Sequence, residues 1–153
     1  MWDDLRRQVE YRLKRLDNNV VKLQPVLKKA KLGNAPDDIE LSALAFMLQS
    51  SYSDIEEVFK TIAKAMNDII HDQESWHRNL LESMQHPTPA RPPVISPALH
   101  QALRDYLNFR HYARYSSVVD LNWQKMAPLV HSWEETLSLF KVELLEFMVK
   151  LRK

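Results

Sequence analysis

Three arginines, a histidine and three tyrosines lie within the twelve residues from Arg104 to Tyr115. Guanidinium groups bind phosphate oxygens through paired N–H donors, and an imidazole can exchange a proton near neutral pH. The apolar stripe of this segment, continued by one and two helical turns, reaches Arg110 and Arg114. Cations directed toward a core need a partner, because burial of an unpaired charge costs several kcal/mol. The segment therefore predicts a site for an anion such as phosphate.

A simpler interpretation places the same two arginines at a helix C-terminus, where cations interact favourably with the helix dipole and the last carbonyl groups. The density of polar side chains favours a ligand over this interpretation. A second stripe, about a quarter-turn from the first, is polar throughout and consists of His100, Arg104, Asn108, His111 and Tyr115.

The composition predicts an all-α fold, since the 153 residues include one glycine and long patterns of 3.6-residue period. We expect a single all-α domain over residues 1–153. The first helix should be kinked by Pro25 and end at Gly33, and the second should begin near Asp37. Small residues on the second helix predict close approach of a second copy of the chain: Ala43, Ala45, Ser50, Ser51 and Ser53.

A short third helix is expected from Glu74 to Met84. Its His77 has no second ligand at i+4 and is interpreted as a surface or capping histidine, so no metal site is predicted. A stiff proline-rich loop follows and delivers Ser96 as the N-cap of the fourth helix, which should fray near Ser116. Asn122 is expected to cap the last helix.

The chain has no cysteine, and no apolar run approaches the ~18 residues of a membrane span. A charged N-terminus argues against a secretory signal, so we expect a cytoplasmic protein without a membrane partner. The net charge of +1 does not by itself indicate nucleic acid, although the basic excess is concentrated in the first 31 residues.

These segments together resemble the HepT-like branch of the HEPN superfamily, small helical ribonuclease toxins encoded beside a minimal nucleotidyltransferase (MNT) antitoxin. The likeness covers essentially Asp37 to Leu151 and rests on motifs in the order of this chain: Tyr-x-x-Ile-Glu-x-x-Phe, Trp-His-x-x-Leu-Leu, Arg-Pro-Pro-Val-Ile-Ser and Tyr-Leu-x-Phe-Arg-His-x-x-Arg.

The resemblance implies an up-and-down bundle of four to five helices. It also implies that this bundle forms an HEPN-like homodimer, in which two copies of an Arg-x4-His-x-Tyr motif line one cleft. It also implies metal-independent cleavage of RNA without a cofactor. A histidine would take the proton of a ribose 2′-hydroxyl, and arginine would stabilise the charge that develops on the phosphate. On this chain the motif arginine is Arg110, the polar residue after it is His111, and a second arginine is Arg114.

The chain departs from the family motif at two positions, because the histidine falls on Tyr115 and the tyrosine that the antitoxin adenylylates falls on Ser117. Tyrosine, with a reference pKa near 10, is a poor general base. His111 is the candidate to replace the missing histidine, since Arg104 precedes it at a spacing that fits the looser Arg-x4-6-His form.

Two main hypotheses follow for the function. The first is an endoribonuclease toxin with Arg110, His111, Arg114 and Tyr115 as catalytic residues. Further RNA contacts would then come from Arg104, Asn108 and Tyr112, and modification by the MNT partner would fall on Tyr115 or Ser117. The second is a catalytically degenerate HEPN module that binds RNA, nucleotide or the nucleotidyltransferase without cleavage. A purely structural helical adaptor is a third, lower-ranked interpretation.

Overall fold

Six α-helices form a bundle in the computed structural model, which describes residues 2–69 and 75–152. The helices are α1 (Trp2–Lys22), α2 (Gln24–Lys31), α3 (Asp38–Ala65), α4 (Trp76–Ser83), α5 (Pro97–Arg114) and α6 (Trp123–Arg152). One turn of 3₁₀ helix, Val118–Asp120, lies between α5 and α6. The prediction of an all-α helical bundle is confirmed. None of the helices in the described residues is long and apolar enough to cross a membrane.

Helix α3 lies at the centre of the bundle and packs against α1, α4, α5 and α6. Its apolar side chains recur at steps of three and four residues, so that one broad face is buried against several neighbours. Phe59 on this face meets Phe140 of α6 edge-on, with ring centroids 5.8 Å apart. Helix α3 therefore carries much of the core.

The predicted helix starts are confirmed at three capping residues. Asp37 forms a capping box with Glu40, in which each side chain accepts a hydrogen bond from the other residue's backbone N–H. Ser96 accepts from the N–H of Leu99 at the start of α5. Asn122 accepts from the N–H of Lys125 at the start of α6.

The first predicted helix is two helices rather than one kinked helix, which raises the helix count to six in the described residues. Helix α1 ends at Lys22, and Pro25 occupies the first turn of α2. Proline is favourable there because the first-turn N–H groups have no partner within a helix, whereas in a helix interior its ring collides with the preceding turn. Gly33, with φ of +88°, follows α2 as predicted.

Some of the small residues predicted to face a second copy are instead buried within the single chain. Ala45 and Ser51 are buried, and the Ser51 hydroxyl accepts a hydrogen bond from Asn19 of α1 at 3.1 Å. The prediction is therefore wrong for these two residues, because α1 occupies the close-approach face of α3.

The proline-rich segment between α4 and α5 is fixed by a buried arginine. Arg91 donates two hydrogen bonds to Asp68, at 2.7 and 3.1 Å, and one to the carbonyl oxygen of His86 at 2.9 Å. The residues predicted at the start of the third helix lie partly outside the described residues, and α4 begins at Trp76. The Arg91 contacts fix the loop that leads into α5 and so help to set the position of that helix.

Candidate anion-binding site

A cavity of about 720 Å³ opens between α4 and the C-terminal half of α5. Five of its nine lining side chains are arginine or histidine, and none is a carboxylate. The lining consists of Ser75, His77, Arg78, Leu107, Asn108, Arg110, His111, Arg114 and Tyr115. This concentration of cations and N–H donors in a concavity suits an anionic ligand.

Arg110 is half-buried and is positioned by α3. Its Nε–H donates to the hydroxyl oxygen of Ser53 at 3.0 Å, while the Ser53 hydroxyl donates to the carbonyl oxygen of Gln49 one turn earlier. Using Nε for positioning reserves the two terminal nitrogens of the guanidinium for a ligand. The inward direction predicted for this arginine is confirmed.

Arg114 is exposed, so the same prediction is wrong for this second arginine. Arg114 is the last residue of α5, and its side chain extends beside the exposed ring of Tyr115, with the guanidinium carbon 5.9 Å from the ring centroid. The imidazole of His111 meets the same ring edge-on at 5.2 Å. An exposed cluster of arginine, histidine and tyrosine therefore forms the outer part of the cavity.

His77 is half-buried and lines the cavity, so the surface position expected from the sequence holds in part, whereas the alternative of a capping residue does not. Its Nδ1 lies 2.7 Å from Oε2 of Glu56, a carboxylate that is buried on α3, and its ring stacks on Trp76 at 3.7 Å. A signal for this contact existed in the sequence. Glu56 follows the buried Tyr52 by four residues and thus lies on the core-facing side of α3.

Three buried or half-buried polar residues of α3, Tyr52, Ser53 and Glu56, thus form a floor beneath the site. Burial raises the pKa of the Tyr52 hydroxyl well above its usual value; the nearby Glu56 charge raises it further, and the Arg110 charge opposes this effect. The Tyr52 hydroxyl is buried and has no hydrogen-bond partner among the described residues. Two of these floor residues, Ser53 and Glu56, contact side chains that line the cavity, namely Arg110 and His77.

Of the remaining predicted site residues, one lines the cavity and the others do not. Asn108 lines the cavity, whereas the exposed Arg104 is not among its lining residues. Tyr112 donates its hydroxyl proton to the carbonyl oxygen of Asp120 at 2.7 Å. Ser117 begins the 3₁₀ turn, and its backbone N–H donates to the Asp120 carboxylate at 2.8 Å. Within residues 2–69 and 75–152, no cluster of three or more histidine and carboxylate side chains could hold a metal ion.

Fold and site together define a small helical-bundle protein with a cationic cavity beside its fifth helix. A family model described as "HepT-like protein" matches residues 43–151, which include most of α3, all of α4 and α5, and all but the last residue of α6. The chain therefore belongs to the HepT-like family of the HEPN superfamily, as the motifs predicted. No match was found among curated proteins or among solved structures.

Proposed function

We propose that this protein is a metal-independent endoribonuclease that acts as the toxin of a toxin–antitoxin pair in the cytoplasm. The observation that carries the proposal is the grouping of Arg110, His111 and Arg114 in one cavity, with no carboxylate in its lining. The phosphodiester backbone of RNA is a polyanion, and its cleavage develops further negative charge on the phosphate. Membership of the HepT-like family supports the same reaction class.

Each predicted residue receives a role from its place in the site. Arg110, fixed by Ser53, and the more exposed Arg114 bind the scissile phosphate and stabilise its transition-state charge. His111 takes part in proton transfer, and Tyr115 places a phosphate or stacks on a base. Asn108 contacts RNA within the cavity, and Arg104 and Tyr112 extend the path outside it.

Exposed apolar side chains next to the cavity support a homodimer with a shared cleft. Tyr115, Val118 and Val119 follow the end of α5 and are 74%, 63% and 88% exposed. Exposed apolar side chains grouped in one short segment are typical of protein interfaces. Pairing of two copies through this segment would bring their cavities together.

Regulation by an MNT nucleotidyltransferase would act at the same segment. The exposed Tyr115 is the better-placed acceptor for a nucleotidyl group, since the hydroxyl of Tyr112 donates to the Asp120 backbone. Ser117 occupies the family's acceptor position in the sequence. Mass spectrometry after co-expression with such an enzyme would identify the modified residue.

A second candidate function is binding without cleavage, which the tyrosine at the family's histidine position favours. Incubation of the purified protein with RNA and a chelator separates the two functions. Cleavage that is abolished by Arg110→Ala and retained by Arg6→Ala, an exposed arginine paired with Glu10 on α1, supports the ribonuclease. Intact RNA with retained binding supports the binding module and contradicts the ribonuclease.

A further inference from the structure

His77 of α4 lines the same cavity and is paired with Glu56 of α3. Neither residue belongs to the motif of α5. The Glu56 side chain is 7% exposed and the His77 side chain 25% exposed, so the carboxylate is enclosed while part of the imidazole remains accessible. When Nδ1–H donates to the carboxylate, the lone pair of the neutral ring lies on Nε2. A carboxylate that fixes the tautomer and orientation of a histidine in this way is a recurrent device of proton-transfer sites.

The positions of these groups on α3 relate the pair to the phosphate-binding arginine. Ser53 and Glu56 are three residues apart and therefore lie on one face of the helix, where they hold Arg110 of α5 and His77 of α4. One rigid element thus positions both a cation and an imidazole at one cavity. Reaction rates depend strongly on such fixed relative placement.

We propose that His77 is the general base of the reaction, oriented by Glu56, and that it compensates for the histidine absent from position Tyr115. This inference rests on the proposed ribonuclease function. His77 Nε2 takes the proton of a ribose 2′-hydroxyl, and the 2′-oxygen forms a bond to the adjacent phosphorus. The bond from phosphorus to the 5′-oxygen breaks, and protonated His111 donates a proton to that oxygen. The products are a 2′,3′-cyclic phosphate and a 5′-hydroxyl end, and exchange with water restores both histidines.

The surroundings of the two histidines support this division of roles. His77 has a single orientation imposed by the Glu56 contact and by stacking on Trp76. His111 is exposed on the outer part of the cavity beside Tyr115, with water access that suits repeated protonation. Glu56 is a positioning residue, since its carboxylate is buried and acts through the imidazole.

His77→Asn tests the assignment, because the asparagine amide nitrogen lies near the place of Nδ1 and can still donate to Glu56, while Nε2 is lost. We expect the cleavage rate to fall by ~10²-fold or more, with unchanged RNA affinity and unchanged thermal unfolding. The matched control is His86→Asn, which alters a histidine 3.3 Å from the Glu82 carboxylate and outside the cavity lining. If the asparagine variant unfolds below the assay temperature, His77→Gln replaces it.

A substrate with sulfur in place of the 5′-bridging oxygen separates the two proton transfers, because a thiolate leaves without protonation. The defect of His111→Ala should largely disappear on this substrate, whereas the defect of His77→Asn should persist. A disappearance of the His77→Asn defect would make His77 the proton donor and would overturn the assignment. A merely structural defect would also persist on both substrates, so the sulfur substrate identifies the proton donor alone. The unchanged RNA affinity and thermal unfolding expected of His77→Asn are the measurements that distinguish a lost base from a damaged fold.

Glu56→Gln provides the positioning test. The amide can turn its NH₂ group toward Nδ1–H, which would misorient the imidazole, so we expect a slower reaction on both substrates. Full activity of both His77→Asn and Glu56→Gln, in a preparation whose unaltered protein cleaves RNA, would contradict this inference alone. An unaltered protein that cleaves no RNA would contradict the proposed function itself.

Discussion

Arg110 shows how one side chain can serve the fold and a ligand together. Its Nε–H donates to Ser53 inside the bundle, and its guanidinium lines the cavity. At this half-buried position one donor of the guanidinium is bonded to the protein, and the proposed function assigns its two terminal nitrogens to the oxygens of a phosphate. Lysine would not reproduce this division, since its ammonium group has no separate positioning donor.

Ser53→Ala should therefore lower the cleavage rate, although Ser53 itself does not line the cavity. Loss of one hydrogen bond, worth about 1 kcal/mol, leaves Arg110 less ordered, and we expect a decrease of about five- to tenfold in cleavage rate. Ser50→Ala, on the same helix, is the matched control. Equal rates for the two variants would mean that Ser53 does not position Arg110.

At the scale of the elements, α5 and α6 are joined by a buried tyrosine. Tyr106 of α5 donates its hydroxyl proton to the carbonyl oxygen of Leu129 at 2.7 Å, and its ring meets Trp133 at 5.1 Å. Burial raises the pKa of Tyr106 to about 12. The folded chain therefore retains this proton at pH values where the unfolded chain loses it.

This difference predicts a loss of stability at alkaline pH. Above the unfolded pKa near 10, the unfolded state binds fewer protons than the folded state, so stability falls as the pH rises toward 12. Tyr106→Phe should lower the free energy of unfolding by about 1 kcal/mol at pH 7 and reduce the decline between pH 10 and 12. Denaturant unfolding across this range measures both effects. An unchanged alkaline decline would show that Tyr106 does not contribute to it.

The loop before α5 depends on Arg91, whose side chain is fully buried beside Asp68. Arg91→Ala should destabilise the protein by about 3–5 kcal/mol, because it leaves a mostly buried carboxylate and several carbonyl groups unpaired. The exposed Arg104→Ala is the control and should change stability by less than about 0.5 kcal/mol. Similar unfolding curves for the two variants would contradict a stabilising role for Arg91.

The helices were predictable because their signals are local. Apolar periodicity and the caps Asp37, Ser96 and Asn122 act within a few residues of chain, and each is found as predicted. The break before Pro25 was foreseen only as a kink, since periodicity continues across it. Local rules give the presence of a helix more reliably than its end.

Only the part of the site that lies on a single helix, α5, was predictable from the sequence. Arg110 and His111 share a continuous segment, and their placement at one cavity follows from helical geometry. Glu56 and His77 are 21 residues apart in the chain and lie on two different helices. Helical spacing predicts that Glu56 faces the core, but it does not identify His77 as its partner. Arg91 escaped notice for the same reason, because its partner Asp68 is 23 residues away.

For the whole molecule, the proposed shared cleft makes a prediction about assembly. Val119→Glu places a charge in the exposed apolar segment after α5 and should convert a dimer to a monomer in sedimentation experiments. Val142→Glu, on the exposed side of α6, is the matched control and should leave the dimer intact. The reverse pattern would place the interface on α6 and contradict a cleft shared through α5.

The position of helix α3 determines which substitutions are expected to impair the site. The residues that hold Arg110 and His77 belong to the helix around which the core is built, and two of the three floor residues are buried. If the chain is the toxin proposed above, a genetic selection for variants whose expression no longer arrests growth should recover changes inside α3 as readily as changes in the cavity. Substitutions of Ser53 and Glu56 would be among them, although neither side chain lines the cavity that is proposed to bind RNA.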